Sequence, residues 1–276
     1  MLQIFCPTDF TVASHAAFQQ ALGLTLAFGG RLTLMHVVAG TEDAVHGFPG
    51  IRAQLERWGR LPADSPDSAV SGLGIEAKKV VGREGDPVEI VLHYLDQHPA
   101  DLIVLSTHQR EGRARWLGRP VAEPLARKAR AMTLFLPQRG AGFVSAADGT
   151  IRLERILIPV TSQPAPQPAI NAALRLLRGE NRPGAQFTLL HCGQAPDMPA
   201  VELPSTTGGP EVRRLARPGD PVGGILAAAR EIAADLVVMA TAGHHDFLDA
   251  LRGSTTERVL RQLECPLLAV PVTRID

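Results

Sequence analysis

The residues best suited to chemistry stand near the end of the chain, in ATAGHHDFLDALRGSTTERVL, residues 240–260. Gly243 gives its loop access to positive φ and close approach to a ligand, and Gly253 removes a side chain just where Ser254 can start a helix. Backbone N–H groups and the helix dipole would then face one point. That point suits an anion, phosphate above all, with the hydroxyls of Ser254 and Thr255 as further donors. On spacing alone, a plain turn at Gly243 and a plain N-cap at Ser254 account for the same residues equally well. His244, His245, Asp246 and Asp249 are metal-ligand types in the same loop. Consecutive histidines diverge, however, and no metal site built from protein side chains alone is expected.

Elements able to hold such a loop can be read from an internal repeat. GDPVEIVLHYLDQHPADLIVLST at 85–107 returns as GDPVGGILAAAREIAADLVVMAT at 219–241, an offset of 134. The same offset relates Asp101 to Asp235, Thr107 to Thr241, Glu123 to Glu257 and Pro137 to Pro271. Nearer each start it grows to 152 for Pro7 and Pro159 and 155 for His36 and His191, so the first half carries about twenty extra residues around 42–72. There TEDAVHGFPGIRAQLERWGRL can form an amphipathic helix, whereas GQAPDMPAVELPSTTGGP in the second half cannot.

Short apolar runs alternate with helix-period stretches in both halves. Strands are predicted at 2–7, 31–38, 75–82, 101–106 and 132–136, with helices at 13–28, 45–58, 86–97 and 120–130. The second half gives strands at 154–160, 186–192, 211–216, 235–240 and 267–272, and helices at 166–178, 220–233 and 254–263. Runs such as DLIVLS and DLVVMA are apolar on both faces, as strands of a helix-covered parallel sheet must be. The expected fold is α/β: two tandem doubly wound parallel-sheet domains of five strands each, 1–138 and 153–276, joined by a small, polar linker at 139–152. In such sheets ligands collect at the carboxyl ends of the strands, where the winding changes direction.

Composition narrows the classes. A chain of 276 residues, 45% hydrophobic and 20% charged, can bury two cores. Lys plus Arg and Asp plus Glu are both 28, so no overall field favours nucleic acid or an anionic membrane. Arg110, Arg113, Arg115 and Arg119 make one basic loop, which without interleaved aromatics reads as solvated. With no signal-like or membrane-length apolar run, a cytoplasmic location is expected. Cys6, Cys192 and Cys265 lie singly beside strands and read as reduced thiols. His36 and His191, at strand ends, read as packed and satisfied, and no nucleophile–base pairing can be assembled.

Taken together, these motifs resemble the universal stress protein family. Its nucleotide-binding members carry, after the fourth strand, a Gly, two residues, a Gly, nine residues, then Gly-Ser or Gly-Thr. This chain has Ala240, two residues, Gly243, nine residues, Gly253 and Ser254. Ala240 is the departure. The resemblance implies the adenine nucleotide alpha hydrolase-like fold and an adenine nucleotide as ligand (ATP, ADP or AMP), with any Mg²⁺ arriving on it. IFCPTDFT matches the family's first-strand segment, so that Pro7, Thr8 and Asp9 would approach a nucleoside and Val37, after His36, would receive the base. In the second half the matching residues are Pro159, Val160, Thr161 and Cys192, with Ala240, Thr241, Gly243, His244, Gly253, Ser254 and Thr255 toward the phosphates.

Each half departs from the pattern differently. Projection by 134 puts Ser106, Gln109, Arg119 and Pro120 at the first half's phosphate positions, and Pro120 has no N–H to offer. Sliding to Gly118 shortens the spacing to eight. In the second half Thr161 replaces the carboxylate of Asp9, with the loss of a charge and an acceptor oxygen. The second half is therefore expected to be the nucleotide seat of a binding module that acts through an unidentified protein partner. No phosphate-clamping Gly-Lys-Ser/Thr run is present, which speaks against vigorous hydrolysis. Two alternatives stay open: a nucleotide-free scaffold, and slow ATP hydrolysis or phosphate transfer relying on His244, His245 and Asp246. The family also implies pairing through the last strand of each domain, MTLFLP and PLLAVP, within one chain or in a homodimer.

Overall fold

The structure is a computed structural model that describes residues 1–38, 47–83, 85–107, 131–137, 142–178, 184–203, 209–242 and 255–272. The expected helix at 120–130, the glycines of the 243–253 loop and the arginine-rich loop lie outside the described residues.

The chain forms two compact units, Met1–Gln138 with Val144–Ile151, and Arg139–Phe143 with Arg152–Asp276. In the first, the strands are β1 (Leu2–Pro7), β2 (Gly30–Val38), β3 (Ile75–Arg83), β4 (Leu102–Thr107) and β5 (Met132–Pro137), in spatial order β3-β2-β1-β4-β5. Helices α1 (Val12–Phe28), α2 (Ile51–Arg57) and α3 (Pro87–Gln97) accompany them. In the second, β6 (Arg155–Pro159), β7 (Gln186–His191), β8 (Glu211–Ala216), β9 (Leu236–Ala242) and β10 (Leu267–Val272) take the same order, β8-β7-β6-β9-β10. Its helices are α4 (Gln167–Arg178), α5 (Pro221–Glu231) and α6 (Thr255–Leu260). Within each unit the ladders are parallel. The doubly wound α/β class expected from the repeat is the observed one.

Central strands are apolar throughout, because both faces are covered. Ile4, Phe5 and Cys6 in β1 and Ile156, Leu157 and Ile158 in β6 are at most 1% exposed. Each large side chain so buried contributes about 1.5–3 kcal/mol. The repeated GDPV is a helix start in both units: Asp86 accepts N–H bonds from Val88 and Glu89, Asp220 accepts one from Gly223, and Pro87 and Pro221 fill the first helical turn where no donor is needed. Gly85 and Gly219 share the same φ of 137°, which a side chain would resist. Asp101 and Asp235 are equivalent as well. Asp101 accepts from the Gln3 N–H at 2.8 Å, and Asp235 accepts from the N–H groups of Glu154 and Arg155 at 3.0 and 2.8 Å.

The amphipathic helix expected at 45–58 begins only at Ile51. Pro49 disfavours helical backbone at Phe48, and Gly50 is extended with ψ 101°. Ile51 and Leu55 carry the expected apolar stripe, and the polar Gln54 is buried beside them. Residues 144–151 fold as a small antiparallel turn with Val144 opposite Ile151, packed on the first unit. Gln20 of α1, 4% exposed, holds it: its amide donates to the Val144 carbonyl at 3.0 Å and its oxygen accepts the Val144 N–H at 3.1 Å. Trp58 adds an indole N–H bond to the Ala146 carbonyl at 3.0 Å.

The crevice in each unit follows from the strand order. After β3 the chain returns to the far side of β1, so the winding reverses between β1 and β4, and likewise between β6 and β9. Pairing there is confined to Ile4–Phe5 with Leu102–Ile103, and Ile156–Leu157 with Leu236–Val237. Beyond these pairs the strands run on to their carboxyl ends without sharing a ladder, which opens a cleft at the position where parallel sheets take ligands.

Candidate functional site

At the carboxyl end of β1, Pro7 closes the strand and Thr8 is 1% exposed. The Thr8 N–H donates to the Met35 carbonyl at 2.8 Å, and its hydroxyl, 3.1 Å from that of Ser14, accepts the Phe10 N–H at 3.1 Å. Asp9 turns its carboxylate toward the start of α1, accepting the Thr11 N–H at 3.1 Å and the Thr11 hydroxyl at 2.6 Å. Thr11 in turn caps α1 through the Ser14 N–H. The Asp9 oxygen expected to meet a nucleoside is thus engaged in building a helix entrance. Val37 is buried inside the β2–β3 ladder opposite Gly82, and that ladder continues to Val38 and Arg83. Of the expected phosphate positions in this half only Ser106, half-buried near the end of β4, is described.

The second cleft has the same frame and different walls. Val160, 2% exposed, donates its N–H to the Leu190 carbonyl at 2.8 Å, while Thr161 is exposed. β7 pairs with β8 only as far as His191 and Ala216, leaving Cys192 and Gly193 beyond the ladder. Arg217 still donates to the His191 carbonyl at 2.9 Å, and no further pair follows in the ladder. The Cys192 thiol approaches the Pro221 carbonyl at 3.8 Å, and partial burial, then the charge of Asp220, push its pKa up. This is not the electropositive setting of a reactive cysteine. Ala240 and Thr241 end the buried stretch of β9 opposite Val270 and Pro271. Thr255 begins α6, where Glu257 is buried and paired with Arg261, and Arg258 lies 3.8 Å from Asp220.

The structure therefore gathers Pro159, Val160, Thr161, Cys192, Ala240 and Thr241 at the carboxyl ends of β6, β7 and β9. Gly243, His244, Gly253 and Ser254, together with His245, Asp246, Asp249, Gln109, Gly118, Arg119 and Pro120, lie outside the described residues. Among the described residues no three or more His, Cys, Asp or Glu come together as metal ligands.

Both strand-end histidines serve the scaffold. His36 Nδ1 donates to the Thr8 carbonyl at 2.6 Å and His191 Nδ1 to the Val160 carbonyl at 3.1 Å, so each ties the second strand to the segment after the first and keeps its proton on Nδ1. Cys6 and Cys265 are free thiols whose burial pushes both pKa values up to about 12. Sequence reasoning missed one feature of the first cleft. Phe10 stacks on His36 with ring centroids 4.0 Å apart and meets Phe48 edge-on at 5.4 Å. The signal was present: the offset of 152 that matches Thr8 to Val160 puts Ser162, with no ring, opposite Phe10.

Comparison with known proteins agrees with this frame. The model of the universal stress protein family matches residues 1–137 and 201–271, more than half of the chain. A universal stress protein from Archaeoglobus fulgidus DSM 4304 superposes with a TM-score of 0.67 at 18% identity, covering 99% of this chain and 97% of its own. A protein from Pseudomonas aeruginosa UCBPP-PA14 gives 0.60 at 13% identity, with 97% and 92% covered. A functionally unknown protein from Pseudomonas aeruginosa PAO1 gives 0.58 at 14% identity, with 98% and 91% covered. At these identities the likeness shows a shared fold over the full two-domain length. No curated protein matches the sequence.

Proposed function

We propose that this chain, which belongs to the universal stress protein family, is a cytoplasmic, nucleotide-responsive binding module whose second domain takes an adenine nucleotide. Domains 1–138 and 153–276, joined by 139–152, divide the work unequally. The carrying observation is the end of β7: its ladder stops at His191, so Cys192 and Gly193 lie beyond it, half-buried, and Thr161 is exposed, whereas the matching Val37 is buried in its sheet.

In this reading the base lies near Cys192, the ribose near Pro159, Val160 and Thr161, and the phosphates reach from Ala240 and Thr241 toward Gly243, His244, Gly253, Ser254 and Thr255. A helix start receives negative charge favourably, and Mg²⁺ accompanies the phosphates. Occupancy orders the connection between β9 and α6 and alters a surface that a protein partner reads. Binding without turnover fits a sequence that lacks a phosphate-clamping lysine.

Calorimetry with ATP, ADP and AMP tests this. The wild-type protein should bind one nucleotide per chain, and Gly253→Arg with Ser254→Pro should weaken it by at least about a hundredfold, roughly 2.7 kcal/mol. Equal affinity before and after substitution, or no binding by the wild type, would refute the reading. Thr161 and Ala240, where the family pattern has Asp and Gly, favour the nucleotide-free scaffold as the second reading. Under it, freshly purified protein carries no nucleotide and added nucleotide leaves its melting temperature unmoved.

A further inference from the structure

The first cleft contains a feature that packing alone does not account for. Phe10 has a φ of 62°, a left-handed conformation that brings Cβ against the following carbonyl in any residue but glycine. Such conformations persist where the surroundings over-determine them, and they collect at binding sites. Here the surroundings are specific. The Phe10 N–H is held by the Thr8 hydroxyl at 3.1 Å, and Asp9 and Thr11 lock the residues on either side. The ring lies on His36 at 4.0 Å with 25° between planes, and the imidazole is itself fixed by its Nδ1 bond to Thr8. Phe48 supplies an edge-on wall, 74° to Phe10 and 86° to His36, and Lys79 stands 5.9 Å over the Phe48 ring. Gly47 comes so close that a Cβ there would meet the Phe10 ring at 2.5 Å.

Yet Phe10 is 37% exposed, so it is not a core residue that pulled its backbone into strain for burial. It sits at the carboxyl ends of β1 and β2, in a notch walled by His36 and Phe48 on the β2 side of the first cleft. Two aromatic walls at right angles and a cation beyond one of them are a receptor for a flat, electron-rich ring. The ring found there is the protein's own.

We infer that Phe10 is an internal occupant of the first cleft, standing in the place of a planar heteroaromatic guest, and that it shuts this half to such guests. Rotation of φ to negative values would relieve the backbone and carry the ring away from His36 and Phe48, so the same residue is the element that opens the notch. Ser162 at the matching place in the second half has no ring with which to do this. The choice of adenosine as the probe rests on the nucleotide reading above; the steric claim does not.

The test uses the full chain and compares proteins that differ only at residue 10, so that any binding by the second cleft is the same in all of them. Phe10→Gly removes the ring and suits the positive φ; Phe10→Asn also tolerates that backbone and serves if the glycine variant does not fold; Phe10→Tyr keeps the ring. Adenosine binding, followed by saturation-transfer NMR and calorimetry, should rise at least about tenfold in Phe10→Gly or Phe10→Asn and stay at the parent level in Phe10→Tyr. Folded Gly and Asn variants that bind adenosine no better than the parent overturn the inference, as does a Tyr variant that gains binding equally. Failure of wild-type calorimetry with ATP would sink the second-domain reading and leave this comparison intact.

Discussion

At the carboxyl end of β2 the ladder runs two residues past His36, to Val37 opposite Gly82 and Val38 opposite Arg83, and Phe10 folds over the top. At the carboxyl end of β7 the ladder stops with His191 opposite Ala216, and a serine stands where the ring would be. The two units share strand order, helix caps and the histidine bond that joins their first two strands. They differ in the few residues that border the cleft. A duplicated scaffold preserves the parts that bury apolar surface and satisfy backbone groups, while the loops at its carboxyl edge are free to diverge.

The comparison can be broken most severely on the first unit's own additions. Gln20 has no counterpart in α4, and both of its amide bonds go to the backbone of Val144. Replacing it by Ala leaves a buried N–H and carbonyl without their partner and a small cavity, so denaturant unfolding should show a loss of about 2–4 kcal/mol and proteolysis should reach 144–151 first. In the second unit the exposed Asn171 accepts from the side chain of Gln167 at 3.0 Å, and Asn171→Ala should cost less than about 0.5 kcal/mol. Similar losses at the two positions would show that residues 144–151 are not anchored as described.

A smaller effect should treat the units alike. Cys6 and Cys265 ionise near 9 when exposed and at about 12 when folded, because burial favours the neutral thiol. The unfolded chain therefore sheds these protons first as pH rises, and stability, full below pH 9, declines between 9 and 12. Cys6→Ala and Cys265→Ala should each flatten that decline in pH-dependent melting, and an unchanged slope in either would deny its thiol the buried setting.

The pattern of strands was legible because a covered parallel strand must be apolar on both faces, and GDPV because a capping Asp followed by Pro has one common use. The doubly wound class then followed. What stayed hidden has identifiable causes. Nothing in the letters of PTDFT, residues 7–11, announces that a phenylalanine will accept a φ of 62°, which the ring contacts with His36 and Phe48 accompany. The attachment of Val144 depends on a glutamine 124 residues earlier, a pairing without sequence period. Proline foretold more than was read from it: Pro49, which disfavours helical backbone at Phe48, stands just before the start of α2 at Ile51.

Amide hydrogen exchange of the wild-type protein with and without ATP tests the central asymmetry most directly. The account predicts slowed exchange in peptides spanning 159–163, 191–194 and 240–256, with 7–11 and 36–38 unchanged. Protection confined to the first-half peptides, or equal in both halves, would contradict it.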